Sequence, residues 1–192
     1  MKVTLHRSRP IFDDFFRIDE AVLSFQRFDG RMTEPVRRLS LERGDSVSAI
    51  VYNRTTQKFI LVNQFKYPTF SKGPGWILET VAGMLGGSDS PESAIRREIL
   101  EETGYQADTL QRISVFYVSP GGSSERVFLY YAEVDDENRV GSGGGLAEET
   151  EDIQVLEFSL DELVAMLDSA EIRDAKTIIG VFWLINRARV SK

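Results

Sequence analysis

The chain has 192 residues, 42% hydrophobic and 28% charged, which is typical of a globular protein with one sizeable core. Its 23 basic residues against 30 acidic ones leave a net charge of −7, and this argues against a nucleic-acid-binding protein, which would carry a basic surface. The absence of cysteine excludes disulfides and thiolate chemistry, and the single histidine, His6, excludes a multi-histidine zinc site.

The first predicted elements are two strands around an Asp29-Gly30 turn, within residues 16–41. The residues before them show no long apolar core and no small-residue cleavage pattern, so we expect no signal peptide. The apolar stretch 178–185 is too short to cross a bilayer. We therefore expect a cytoplasmic protein without a membrane partner, divided into an N-terminal β extension, residues 1–45, and a main domain, residues 46–192.

Alternating apolar residues and turn signals predict the strands of the main domain over residues 47–52, 59–62, 76–82, 110–118, 126–134 and 153–158. Between them, Ser90 and Pro91 predict the start of a helix that ends at about Thr103, before Gly104. Two further helices are predicted from about Ser159 to Leu167 and from about Asp174 to Arg189. The intervening segment 135–152 is glycine-rich, acidic and too long for a simple turn, which favours a functional loop.

Three glutamates lie close together on the first of these helices. At about 100° per residue, Glu101 and Glu102 fall roughly 60° and 40° to either side of Glu98, so all three share one face. Their mutual repulsion, a few tenths of a kcal/mol per pair, would be relieved by a hard divalent cation such as Mg²⁺. The alternative is a solvated acidic face, partly neutralised by pairing of Arg97 with Glu101.

The surrounding segment, residues 83–105, resembles the Nudix box, G-x5-E-x7-R-E-U-x-E-E-x-G-U, where U is a bulky apolar residue. Every fixed position matches except that Asp89 stands where the family has glutamate. The resemblance implies an α/β fold, the Nudix α/β/α sandwich with a mixed sheet, and here an N-terminal antiparallel β-hairpin extension. In the family, the position of Asp89 mainly supports the site, so the shorter side chain is expected to weaken a contact without removing a ligand.

The resemblance also implies a Mg²⁺ cofactor, with Mn²⁺ as a substitute. Glu98 and Glu102 resemble the principal ligands, Glu101 a further ligand or one that acts through water, and the carbonyl of Ala82 an additional ligand. Arg97 is implied to orient the carboxylates. The bound metal would neutralise phosphate oxygens and activate water, and a carboxylate from a loop would accept the proton.

The resemblance extends over most of residues 16–188, to ADP-ribose pyrophosphatases and the related GDP-mannose hydrolases, through segments 79–84, 119–126 and 145–153. These enzymes cut nucleoside diphosphate sugars, so we expect such a substrate here. The leading expectation is hydrolysis of ADP-ribose to AMP and ribose 5-phosphate. GDP-mannose or another sugar nucleotide is the alternative, because the segment Ser119–Gly122 and the run Gly143–Gly145 look at least as much like the GDP-mannose enzymes.

In that subfamily a loop glutamate acts as the base, and Glu149 and Glu151 fall in this loop, with Glu149 placed ahead. The substrate-binding candidates are Arg37, Arg38, Lys66, Glu79 and Arg126. The subfamily is usually homodimeric, and a basic residue of the N-terminal hairpin often reaches the partner's substrate, which leads us to expect a homodimer. Lys66 replaces a common arginine and loses its bidentate fork, while Glu79 has a structural salt bridge as its competing role.

Two other classes of function fit the sequence less well. A Nudix-fold nucleotide sensor that does not hydrolyse its ligand is opposed by the intact helical carboxylates, which degenerate binders typically lose. A nucleic-acid-directed Nudix enzyme is opposed by the net charge and by the lack of a basic aromatic patch.

Overall fold

The computed structural model describes residues 1–190, with the side chains of Glu149 and Val190 outside the described part. The chain forms two compact units. The first consists of Met1–Asp45 together with Tyr117–Arg126, and the second of Ser46–Phe116 together with Val127–Lys192.

The first unit is built on an antiparallel three-stranded sheet in the order β1 (Val3–Asp13), β2 (Arg17–Phe25) and β3 (Val36–Glu42). The pair β2–β3 confirms the predicted N-terminal hairpin. Strand β1 was not predicted, because the polar run 6–9 interrupts the alternation that marks a half-buried strand, and all eleven residues of the strand are exposed.

The second unit contains a seven-stranded mixed sheet. Its main path runs β10-β5-β4-β9-β8, while β6 pairs with β5 and β7 with β4. The strands are β4 (Ser46–Asn53), β5 (Lys58–Phe65), β6 (Trp76–Glu79), β7 (Val81–Met84), β8 (Thr109–Tyr117), β9 (Arg126–Val134) and β10 (Gln154–Phe158). The parallel pair β4–β9 makes the sheet mixed, and β4 is almost wholly buried because both of its faces are covered.

The single strand predicted over residues 76–82 is wrong in one respect, since the structure divides it at Thr80 into β6 and β7. The Thr80 amide donates to Thr177 Oγ1 at 2.8 Å, and the Thr80 hydroxyl bonds Ser48 Oγ at 2.8 Å. These bonds join residues far apart in the sequence, so no local pattern predicts them. At Thr80 the chain passes from pairing with β5 to pairing with β4. The turn brings Ala82 and Gly83 beside β4.

The described residues form four α-helices: α1 (Tyr67–Phe70), α2 (Pro91–Thr103), α3 (Leu160–Asp168) and α4 (Ala175–Val190). Helix α2 buries Ala94, Ile95 and Ile99 in the core on one side of the sheet. Helices α3 and α4 contribute to a second core, which contains Leu163 and Val181. Two cores on one sheet confirm the expected α/β/α sandwich. Among residues 1–190, no helix has the length and apolarity that crossing a membrane requires.

The predicted helix boundaries follow from local capping. Ser90 Oγ accepts the Ser93 amide at 3.1 Å at the start of α2, and Gly104 ends that helix in the left-handed conformation, with φ of 79°. Ser159 and Glu162 form a reciprocal capping box at the start of α3. These interactions are within a few residues of one another, so the sequence alone specifies them.

Replacing Ser159 by alanine is expected to lower the free energy of unfolding by about 1 kcal/mol, because the first turn of α3 loses a side-chain acceptor. Urea denaturation measures this loss. Ser159→Asn keeps a capping oxygen and serves as the matched control. Equal losses in the two variants would show that capping is not what Ser159 contributes.

Candidate active site

The Nudix-like segment brings the helix α2 against strand β7. Gly83 lies in β7, and a Cβ atom at this position would overlap the Glu98 carboxyl group. Only glycine therefore allows the Glu98 carboxylate to lie directly on the backbone of β7 at this position, which follows Ala82 in the sequence. The glycine that opens the motif is required for this close approach.

Glu102 is the most deeply buried carboxylate of the motif. The residue is 1% exposed, and its Oε2 has no hydrogen-bond partner among the described residues. Burial, followed by the like charges of Glu79 and Glu98, raises the pKa of Glu102 to about 9, while Lys66 acts in the opposite direction. Burying an acceptor without a partner has a large free-energy cost, which a bound cation would offset.

Arg97 joins two of the other motif carboxylates. Its Nη2 lies 2.8 Å from Glu98 Oε1, and its Nη1 lies 2.8 Å from Glu101 Oε2. Burial raises the pKa of Glu98; Arg97 lowers it, and the charges of Glu101 and Glu151 raise it further. This geometry supports the orienting role that the motif implies for Arg97.

A buried ion cluster surrounds Glu79. Lys176 Nζ lies 3.0 Å from Glu79 Oε2 and 2.7 Å from Asp174 Oδ1, while Lys66 Nζ lies 3.7 Å from Glu79 Oε1. Burial opposes the charge of Lys176, but Glu79 and Asp174 outweigh it and the pKa of Lys176 is raised. Asp174 also accepts the Thr177 amide at 2.9 Å at the start of α4. Sequence reasoning missed Lys176 and Asp174 because they join the site only through the packing of α4.

The glycine-rich loop brings Glu151 towards the same carboxylates. Glu151 Oε2 accepts the Leu146 amide at 3.0 Å, and the charge of Glu151 raises the pKa of both Glu98 and Glu102. The backbone of Glu149 ends a short 3₁₀ helix, Ala147–Glu149, but its side chain lies outside the described residues. The choice between the two glutamates as base stays a prediction.

The predicted basic residues of the first unit are engaged in local contacts. Arg37 Nε lies 2.5 Å from Glu20 Oε2, and Arg38 Nη1 donates to the Arg37 carbonyl at 2.9 Å. Arg126 Nη2 lies 2.6 Å from Asp45 Oδ2. Substrate contacts of Arg37 or Arg126 would therefore compete with existing ion pairs, and these assignments stay predictions.

The donor set of the second unit fits a hard divalent cation. Among the described residues, no three acidic or histidine side chains are already grouped as a bound metal would require. The glycine cradle at Glu98 and the unpartnered Glu102 Oε2 nevertheless provide oxygen donors in a crowded anionic setting. A magnesium ion would draw these carboxylates together and relieve their repulsion.

Replacing the buried acid Glu102 is expected to stabilise the metal-free protein, because folding must keep this group protonated at a pH where the unfolded chain ionises it. A glutamate with a raised folded-state pKa supports folding below its ordinary value of 4.5 and loses that contribution as the pH rises towards about 9. Glu102→Gln should therefore raise Tm at pH 8 in a chelator, with a smaller difference at pH 5. Differential scanning calorimetry measures this.

Glu34→Gln, in an exposed segment of the first unit, is the control and should leave Tm unchanged. The expectation fails if Glu102→Gln melts no higher than the wild type at pH 8. Magnesium should raise Tm of the wild type and have little effect on Glu102→Gln, because the variant lacks the buried ligand charge.

Comparison with known proteins identifies the family. The model of the NUDIX domain matches residues 42–179. A GDP-mannose pyrophosphatase of Citrobacter koseri is 36% identical over 185 residues, which cover 95% of both chains. GDP-mannose pyrophosphatases of Shigella flexneri serotype 5b and Escherichia coli O1:K1 are each 34% identical with the same coverage.

A solved structure described as an ADP compounds hydrolase superimposes on the whole chain and on 96% of its own, with a TM-score of 0.77 and 16% identity. At that identity the likeness concerns the fold. Together with the family model and the full-length relatives, it confirms the resemblance carried by residues 83–105. The chain belongs to the Nudix family and is an enzyme of the Nudix hydrolase type.

Proposed function

We propose that this enzyme hydrolyses the diphosphate linkage of a nucleoside diphosphate sugar with the help of magnesium, and that GDP-mannose is its preferred substrate. The observation that carries the proposal is the buried carboxyl group of Glu102. Its Oε2 has no partner among the described residues, and the charges of Glu98 and Glu151 raise its pKa. Such a crowded anionic site binds a substrate diphosphate only when cations accompany it.

The proposed metal ligands are Glu98, Glu102 and the Ala82 carbonyl, with Glu101 as a further ligand or acting through water. Bound magnesium, or manganese in its place, would neutralise phosphate oxygens and lower the pKa of the attacking water. Arg97 keeps the carboxylates of Glu98 and Glu101 oriented through its two 2.8 Å contacts.

Other residues of the site act on the substrate and on the proton. Lys66 offers its ammonium as a point charge to a phosphate oxygen. Lys176 and Asp174 hold Glu79 in its buried position beside Glu102. Glu151 is proposed to accept the proton of the attacking water, because its carboxylate is held by the Leu146 amide in the loop whose Gly144 and Gly145 amides bond the end of α2, with Glu149 as the alternative base.

The preference for GDP-mannose rests on the relatives. The subfamily resemblance placed ADP-ribose first as its broader substrate, although the motifs look at least as much like the GDP-mannose enzymes. Both substrates belong to the same class of nucleoside diphosphate sugars. The relatives named GDP-mannose pyrophosphatase align with 95% of this chain, whereas the ADP compounds hydrolase shares only 16% identity. GDP-mannose is therefore the first candidate and ADP-ribose the second.

We expect kcat/KM for GDP-mannose to exceed that for ADP-ribose by about tenfold or more, equivalent to about 1.4 kcal/mol of transition-state stabilisation. Release of nucleoside monophosphate from a panel of sugar nucleotides in magnesium measures the ratio. Glu102→Gln, folded but nearly inactive, is the control for catalysis by this site. Faster turnover of ADP-ribose would reverse the order, and an inert wild type that still binds nucleotide would support a sensor.

We also propose that the enzyme is a cytoplasmic homodimer. The three-stranded sheet of the first unit leaves large apolar side chains exposed, among them Val3, Leu5, Phe12 and Leu39. A small sheet of this kind gains stability by packing on another surface. The subfamily resemblance supports a second copy as that surface, with Arg37 or Arg38 of one copy serving the site of the other.

Mixing two inactive variants tests this arrangement. If Arg37 serves the partner's site, a refolded equimolar mixture of Arg37→Ala and Glu102→Gln should recover about a quarter of wild-type activity, because half of the dimers contain one intact site. Light scattering should give the mass of a dimer. A monomeric mass, or a mixture no more active than its separate components, would contradict the shared site.

A further inference from the structure

The segment Gly141–Gly145 lies against the C-terminal end of α2, the helix that presents the motif carboxylates. The Gly144 amide donates to the Glu102 carbonyl at 2.8 Å, and the Gly145 amide donates to the Glu101 carbonyl at 3.1 Å. Carbonyls in the last turn of a helix have no partner within the helix. The loop thus supplies donors to the main chain of the two residues whose side chains belong to the site.

Two glycines of the loop are tightly enclosed. A Cβ atom at Gly143 would come 2.5 Å from the Glu102 carbonyl oxygen, and one at Gly145 would come 2.5 Å from Glu151 Oε2. Both residues also have positive φ, 67° and 81°. Glycine is required at both positions because Gly143 lies against the end of α2 and Gly145 lies against the Glu151 side chain.

Beyond the glycines the loop closes on itself. The Leu146 amide donates to Glu151 Oε2 at 3.0 Å, and the Ile153 amide donates to the Gly144 carbonyl at 3.2 Å. The carboxylate of Glu151 is therefore tied to the same short stretch of backbone that is bonded to α2. A displacement of that stretch would displace the carboxylate.

We propose that Gly143 and Gly145 are positioning residues that set the distance between the Glu151 carboxylate and the carboxylates of α2, with the carbonyls of Glu101 and Glu102 as the attachment points. The inference rests on the proposed role of Glu151 as the base. The C-terminal part of α2 then has two roles: its side chains provide metal ligands, and its main chain positions the group that receives the proton.

Alanine substitutions in the loop test the proposal. Gly145→Ala and Gly143→Ala should lower kcat by about 100-fold, since a displacement of about 1 Å at a reacting group has effects of that size. KM and the magnesium-induced rise in Tm should stay near the wild-type values. The matched control is Gly141→Ala, where a Cβ atom meets nothing closer than 3.8 Å, and it should keep nearly full activity.

A double-mutant cycle separates positioning from a general structural role. If Gly145 acts through Glu151, Gly145→Ala should cause no further loss of kcat in a Glu151→Gln background. Losses that multiply would overturn the proposal, as would a Glu151→Gln enzyme with wild-type kcat. A wild type that turns over no sugar nucleotide is a different result and would overturn the proposed function.

Hydrogen exchange on the wild-type enzyme gives a test that does not depend on whether the variants fold. The Gly144 and Gly145 amides should be protected about as strongly as the amides of the last turn of α2, because their acceptors are that turn's carbonyls. Rapid exchange of both amides in a protein whose α2 is protected would overturn the proposed attachment.

Discussion

The arrangement of this enzyme depends on the burial of the Glu102 carboxylate. One of its oxygens has no partner among the described residues, and burial together with neighbouring carboxylates raises its pKa to about 9. A lone buried carboxylate of this kind weakens the fold at neutral pH. Its retention fits the proposed role as a metal ligand, since a cation that displaces the proton would supply the charge that the buried carboxylate lacks in the metal-free fold.

The cations around Glu102 pair with its acidic neighbours. Lys66 and Lys176 compensate Glu79, and Arg97 bridges Glu98 and Glu101. These cations stabilise the neighbours and leave Glu102 Oε2 available. This distribution of charges suits the proposed binding of a metal together with an anionic diphosphate. Without metal ions, the carboxylates would repel a polyanion.

Backbone contacts place the same carboxylates. Gly83 lets Glu98 lie on strand β7, and Gly104 lets the loop that leads to Glu151 approach the end of α2. In each case a side chain larger than hydrogen would occupy the space that the neighbouring group needs. The glycines of the motif and of the loop thus set how closely neighbouring elements approach each other in the site.

The sequence by itself determined the motif, the bounds of α2 and the α/β class, because capping at Ser90 and Gly104 and the alternation of strands such as β4 are local properties. It also placed Glu98, Glu101 and Glu102 on one face. Only the tertiary structure decided the break at Thr80, the pairing of Lys176 with Glu79, and the contact of Gly143 with the helix end. Each of these joins segments far apart in the chain, and local periodicity contains no information on such contacts. Strand β1 was missed for a different reason: it is exposed along its whole length, and the polar run 6–9 interrupts its alternation.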